Sequence, residues 1–133
     1  MMSLVAQEQA SILVVEDNID CLIYMIHALT MFNYSFVTAQ YVEPALYLAK
    51  RHLPKLILLD IGLPEKNGFE LVKKLKDNKS TQNIPIIAVS AFSKIEAQHL
   101  AFAAGCNDYL EKPYLLEDLK SKINQYLSLQ LAS

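Results

Sequence analysis

Three short apolar runs in this chain end abruptly on polar residues: Ile12-Leu13-Val14-Val15 on Glu16-Asp17-Asn18, Leu56-Ile57-Leu58-Leu59 on Asp60, and Ile86-Ile87-Ala88-Val89 on Ser90. Continuous apolar runs of this length suit strands buried on both faces. Weaker strand signals lie at about 35–38 and 108–110. Between the runs the periodicity changes. Leu22, Ile23, Ile26 and Leu29 follow a helical stripe that Asn33 ends, and Pro44 stands early in a second helix reaching about Arg51. A third helix runs to about Asp77, and a fourth, from about Ser93 to Ala104, is closed by Gly105 as a left-handed cap. Leu119, Ile123 and Leu127 give a last helix, starting near Leu115, one apolar face. Strands that alternate with helices in this way predict an α/β fold: a doubly wound, five-stranded parallel sheet flanked by five helices in a three-layer sandwich.

Length keeps this to one domain. At 133 residues, 53% of them hydrophobic, the chain supports one sizeable core, expected over 11–129, with an extension at 1–10 and a tail at 130–133. A net charge of -2 lacks the basic face that direct nucleic-acid binding calls for. No run approaches the roughly 18 apolar residues of a membrane span, and the first ten residues do not read as a secretion signal. Cys21 and Cys106 stand far apart in apolar or helical surroundings and read as reduced thiols, so the expected compartment is the cytoplasm.

In an open parallel sheet, ligands bind beyond the carboxyl ends of the strands. The residues that fall there are Glu16, Asp17, Asp60, Ser90 and Lys112. Converging carboxylates repel unless a cation neutralises them or one takes a proton. With no His or Cys beside them, the natural cation is hard and oxygen-seeking, and magnesium fits better than zinc. A carboxylate placed like Asp60 can act as a nucleophile and form an acyl phosphate, while Ser90 offers a hydroxyl and Lys112 a positive charge to phosphoryl oxygens. Taken singly, such acids are more often helix caps, and Asp17 or Asn18 fits that role before the first helix. The combination in strand order carries the functional reading.

From about Ser11 to Leu129 the chain resembles the receiver domains of response regulators in two-component signalling, the CheY-like fold. The resemblance lies in Ile12-Leu13-Val14-Val15-Glu16-Asp17-Asn18, in Leu58-Leu59-Asp60-Ile61-Gly62-Leu63-Pro64 with Gly68, in Val89-Ser90-Ala91, and in Asp108-Tyr109-Leu110-Glu111-Lys112-Pro113. It implies that Asp60 takes a phosphoryl group from a histidine kinase or a histidine phosphotransfer protein. Mg2+ would be bound by Asp17, Asp60 and the Gly62 carbonyl, with Glu16 joining through water. Ser90 would hydrogen-bond the phosphoryl group, Lys112 would pair with it, Lys112-Pro113 would be a cis peptide, and Tyr109 would rotate inward as part of the switch. The output would be a partner-binding surface near Gln98, Phe102, Tyr109 and the last helix, read by a downstream protein; dimerisation on phosphorylation stays open. Such a domain is not an enzyme toward other substrates.

Two positions depart from the commonest pattern of that family. Gly62 is small two residues after Asp60, and Phe92 is bulky two residues after Ser90. In the family both positions help set the lifetime of the aspartyl phosphate. His27, His52 and His99 are scattered singly on helices and receive no role. Three rivals remain on this reading. A hydrolase of the haloacid dehalogenase type needs a second acid where Gly62 stands; a flavodoxin-like electron carrier would meet repulsion from Glu16-Asp17; a binding module without switch chemistry would have no use for Asp17, Asp60, Ser90 and Lys112 together.

Overall fold

A computed structural model of the chain describes residues 9–61, 68–91 and 95–132, with side chains through residue 128. The first strand, β1, is Ile12–Val15 and leads into helix α1, Ile19–Met31. Next come β2 at Phe36–Ala39, α2 at Val42–His52, β3 at Leu56–Asp60 and α3 at Gly68–Lys76. β4 is Ile86–Ser90, α4 is Ile95–Ala104, β5 is Asp108–Glu111 and α5 is Leu116–Ala132. The strands form one parallel sheet in the order β2-β1-β3-β4-β5. This is the expected doubly wound, CheY-like sandwich.

Period-two alternation sorts the strand side chains between two layers. Ile12, Val14, Leu56, Leu58, Ile87, Val89 and Leu110 pack with α1 and α5 through Leu22, Met25, Leu29, Leu119 and Ile123. Leu13, Val15, Ile57, Leu59, Ile86, Ala88 and Tyr109 face α2, α3 and α4, where Ala45, Ala49, Leu71, Val72, Leu75 and Ala101 meet them. Because β1, β3 and β4 are covered on both sides, they are apolar at every position up to their ends.

Helix ends follow local chemistry. Asn18 caps α1: its backbone is extended, and its side-chain oxygen accepts a hydrogen bond from the Cys21 amide at 2.9 Å. Asn33, just past α1, has a positive φ of 65°, and Gly105 closes α4 at φ 119°. There the Cys106 amide reaches back to the Ala101 carbonyl at 3.0 Å. α2 ends on a less expected residue, Leu53, which is left-handed at φ 47° while its amide bonds Ala49 O. No helix among the described residues is long and apolar enough to cross a membrane.

Strand order reverses about β1 and β3: the chain leaves β1 toward β2 on one side, then crosses over to β3 on the other. The crevice that this reversal opens at the carboxyl ends of β1 and β3 is where a ligand has room.

Candidate phosphoacceptor and metal site

A cleft of about 390 Å³ lies at that crevice, lined by Glu16, Asp17, Gln40, Tyr41, Glu43, Asp60, Gly68 and Glu70 among others. Its floor comes from strand ends. Glu16 and Asp17 follow β1, and Asp60 is the last residue of β3. One carboxylate oxygen from each of the three lies within 4.8 Å of the others. Glu16 and Asp60 are buried, at 6% and 8% exposure, whereas Asp17 is exposed. Three acids so close in a partly dry crevice offer a donor set whose chemistry suits a hard cation.

Lys112 comes in from the far side of the sheet. It follows β5, its amide bonds the Ser90 carbonyl at 2.7 Å, and its ammonium lies 3.0 Å from Glu16 Oε1 and 3.6 Å from Asp60 Oδ2. Burial of Glu16 and its hydrogen bond with Asp60 raise the Glu16 carboxyl to about 7, with Lys112 pulling the other way. For Lys112, burial works against the charged form, but the hydrogen bond to Glu16 and the charge of Asp60 outweigh it, so its pKa is raised.

Ser90 ends β4 fully buried, at the same edge of the sheet. Tyr109, in β5, is 8% exposed and packs with the α2–α4 layer. The Lys112-Pro113 peptide is cis. Glu16, Asp17, Asp60, Ser90 and Lys112 are therefore gathered at one edge. Gly62 and Phe92, expected to flank the reacting group, lie outside the described residues.

Other contacts carried weaker signals in the sequence. Asn18 supplies its main-chain N–H to Glu16 Oε2 at 3.1 Å while its side chain caps α1. Tyr114, two residues after Lys112, packs its ring on Tyr24 with centroids 5.9 Å apart and points its hydroxyl at Met25 Sδ, 3.8 Å away. It holds the Lys112-bearing turn against α1. Lys74 bridges Glu43 and Glu70 at 3.3 Å each, tying α2 to α3 beside the cleft mouth. His52 Nδ1 accepts the Ala10 amide at 3.1 Å, which fixes the chain just before β1. A polar residue ahead of an apolar helical stripe is the one such signal readable in advance, and it marks Asn18.

A family model described as the response regulator receiver domain matches residues 12–124. The polar-differentiation response regulator DivK of Brucella ovis is 35% identical over 117 residues, covering 88% of this chain and 95% of that protein. A probable cyclic di-GMP phosphodiesterase of Vibrio cholerae is 33% identical over 126 residues. That match takes in 95% of this chain but only 28% of the longer relative. Among solved structures, the receiver domain of the sensor histidine kinase PA1611 of Pseudomonas aeruginosa superposes with a TM-score of 0.82 at 26% identity, covering 90% of this chain and 98% of that one. Its crystal structure holds a magnesium ion in the active-site cleft. A CheY-like receiver domain protein of Methanospirillum hungatei gives 0.81 at 26% identity, covering 94% and 98%.

Proposed function

The chain belongs to the response regulator receiver family of two-component signalling, and from that premise we propose that it is a magnesium-dependent switch in which Asp60 carries the phosphoryl group. The observation that carries this reading is the meeting of Asp60, Glu16, Asp17 and the Lys112 ammonium in one cleft. In the transfer, an Asp60 carboxylate oxygen forms a bond to phosphorus while the phosphorus–nitrogen bond of a donor phosphohistidine breaks and the imidazole leaves. Loss of the phosphoryl group later is attack by water on the acyl phosphate. The donor is a histidine kinase or a histidine phosphotransfer protein in the cytoplasm.

Asp17, Asp60 and the Gly62 carbonyl would hold Mg2+, with Glu16 behind them, and the acidic donor set of this cleft suits that ion. Bound there, Mg2+ supplies positive charge to the carboxylates and to the phosphoryl oxygens. Lys112, already beside Asp60, adds a second positive group, and Ser90 a hydroxyl donor. The phosphoryl group brings new charge and strong acceptors, and movement of Ser90 and Lys112 toward it, with Tyr109 following, biases a two-state equilibrium of the α4–β5–α5 surface. A downstream protein reads that surface; the chain does not bind nucleic acid directly.

Intact-mass measurement after incubation with acetyl phosphate, with and without magnesium, tests the assignment. Wild type should gain a hydroxylamine-labile phosphoryl adduct only with the metal, and Asp60→Asn should fold and gain none. An adduct persisting in Asp60→Asn would overturn Asp60 as the acceptor, and none in folded wild type would leave a phosphate-independent binding module.

A further inference from the structure

Asn18 serves both a helix and the acidic cleft. Its side chain holds the Cys21 amide at the start of α1, and its own amide points back to Glu16 Oε2. The other Glu16 oxygen takes the Lys112 ammonium, so the buried carboxylate is fixed from two sides, by a side chain and by a piece of main chain. Asp17 lies between these anchored residues, and its main-chain carbonyl accepts from the Gln40 side-chain Nε2 at 3.5 Å.

We propose that Asn18 is a positioning residue for cation binding: by capping α1 it locks the backbone that holds Glu16 and Asp17 in a cation-ready arrangement. The inference rests on the proposed magnesium-dependent reading and assigns a role to a residue that touches neither metal nor phosphate. The physical reason is repulsion. Carboxylate oxygens of Glu16, Asp17 and Asp60 within 4.8 Å of one another repel when ionised, and Lys112, which reaches Glu16 and Asp60, offsets part of that repulsion. A cation that must first regather them binds more weakly than one that meets them in place. Replacing the Asn18 side chain leaves its main-chain N–H and the bond from the Leu22 amide to its carbonyl intact but removes the hold on the Cys21 amide, which loosens residues 17 and 18, so the loss appears in affinity.

The chain offers a natural contrast. At the start of α2, Tyr41 occupies the cap position with no side-chain hydrogen bond, and no acid at the end of β2 depends on it. A side-chain cap is therefore not needed to start a helix in this fold, and the one at Asn18 stands beside the acids.

Magnesium titration calorimetry on the intact chain tests this, with urea unfolding in the absence of metal as the control for stability. Asn18→Ala should weaken Mg2+ binding roughly tenfold, in the range seen when a partner behind a metal ligand is removed. Asn18→Ser, which restores a cap, should return most of it. Asn18→Gly keeps the helix start at little cost in stability, and should lose affinity like Asn18→Ala even if the alanine variant folds poorly. In acetyl phosphate labelling, the deficit of Asn18→Gly should vanish at saturating magnesium. Wild-type affinity in folded Asn18→Gly, or no recovery in Asn18→Ser, would overturn the role of Asn18. Failure of wild type itself to bind Mg2+ would strike the underlying functional reading instead.

Discussion

α1 puts Leu22, Met25, Ala28 and Leu29 into the sheet, whereas α4, on the opposite face, buries only Ala101. α4 is not short of apolar residues: Ile95, Leu100 and Phe102 are all exposed. Burying one large aliphatic side chain contributes about 1.5–3 kcal/mol, and a single methyl far less. α1 is thus held by large side chains, and α4, among the described residues, by small ones: Ala101 is buried, Ala97 and Ala104 pack partly buried against the same core, and the turn at Gly105 closes the helix. Both helices leave large apolar side chains outward, Ile19, Ile23, Tyr24 and Met31 on α1 among them, so the difference lies in the inward face. A helix anchored there by small side chains is the easier of the two to displace. That is the side of the fold on which the proposed switch surface lies, while the firmly held α1 carries the Asn18 cap and the Tyr114 contact that keep the acidic cleft in shape.

The difference can be sharpened with the two thiols. Cys106, at the end of α4, is buried, and that burial pushes its thiol up to about 11, whereas Cys21 on α1 is half-buried. At pH 8 a thiol with that pKa is thiolate in about one part per thousand, and its reactive fraction rises about tenfold for each pH unit until the pKa is reached. Iodoacetamide labelling followed by peptide mass analysis should find Cys21 modified far ahead of Cys106. Comparable labelling would mean that the end of α4 opens readily, and the Cys106 rate would then measure that opening.

A smaller effect is expected from Leu29→Ala, which empties a fully buried site on α1. It should cost about 3 kcal/mol in urea unfolding; a loss below about 1 kcal/mol would mean that α1 is no better anchored than α4. The smallest belongs to Phe102→Ala. At 46% exposure this side chain contributes little to the isolated fold, and its removal should change stability by no more than about 0.5 kcal/mol. A larger loss would show that α4 is held by its aromatic after all.

The sequence made β1, β3 and β4 plain because a strand covered on both faces is apolar at every position, and the first charged or hydroxyl residue marks its end. The same contrast located Glu16, Asp17, Asp60 and Ser90. Pairing was harder to read. That the Lys112 ammonium sits closer to Glu16 than to Asp60 depends on how a flexible side chain crosses strand ends, which no spacing encodes. Asp17 and Asn18 are equally good caps by composition, and only the extended backbone at Asn18 decides between them. Leu53 at positive φ had no signal, since leucine rarely adopts that conformation; here its amide closes the helix on the Ala49 carbonyl. Which way α4 faces was illegible for a related reason: apolar residues occur on more than one side, so period alone selects no buried face.

The Glu16–Lys112 ion pair joins residues 96 positions apart. Contacts so distant along a chain form late, because the entropy of closing the intervening loop is lost before the contact returns anything. β1, β3, β4 and β5 must all be in register before the acids, the serine and the lysine share a space. A chain that is half folded, or damaged in any one of these strands, has no cleft in which to take up a signal. Under the proposed switch, competence to be phosphorylated would therefore depend on complete folding of the sheet.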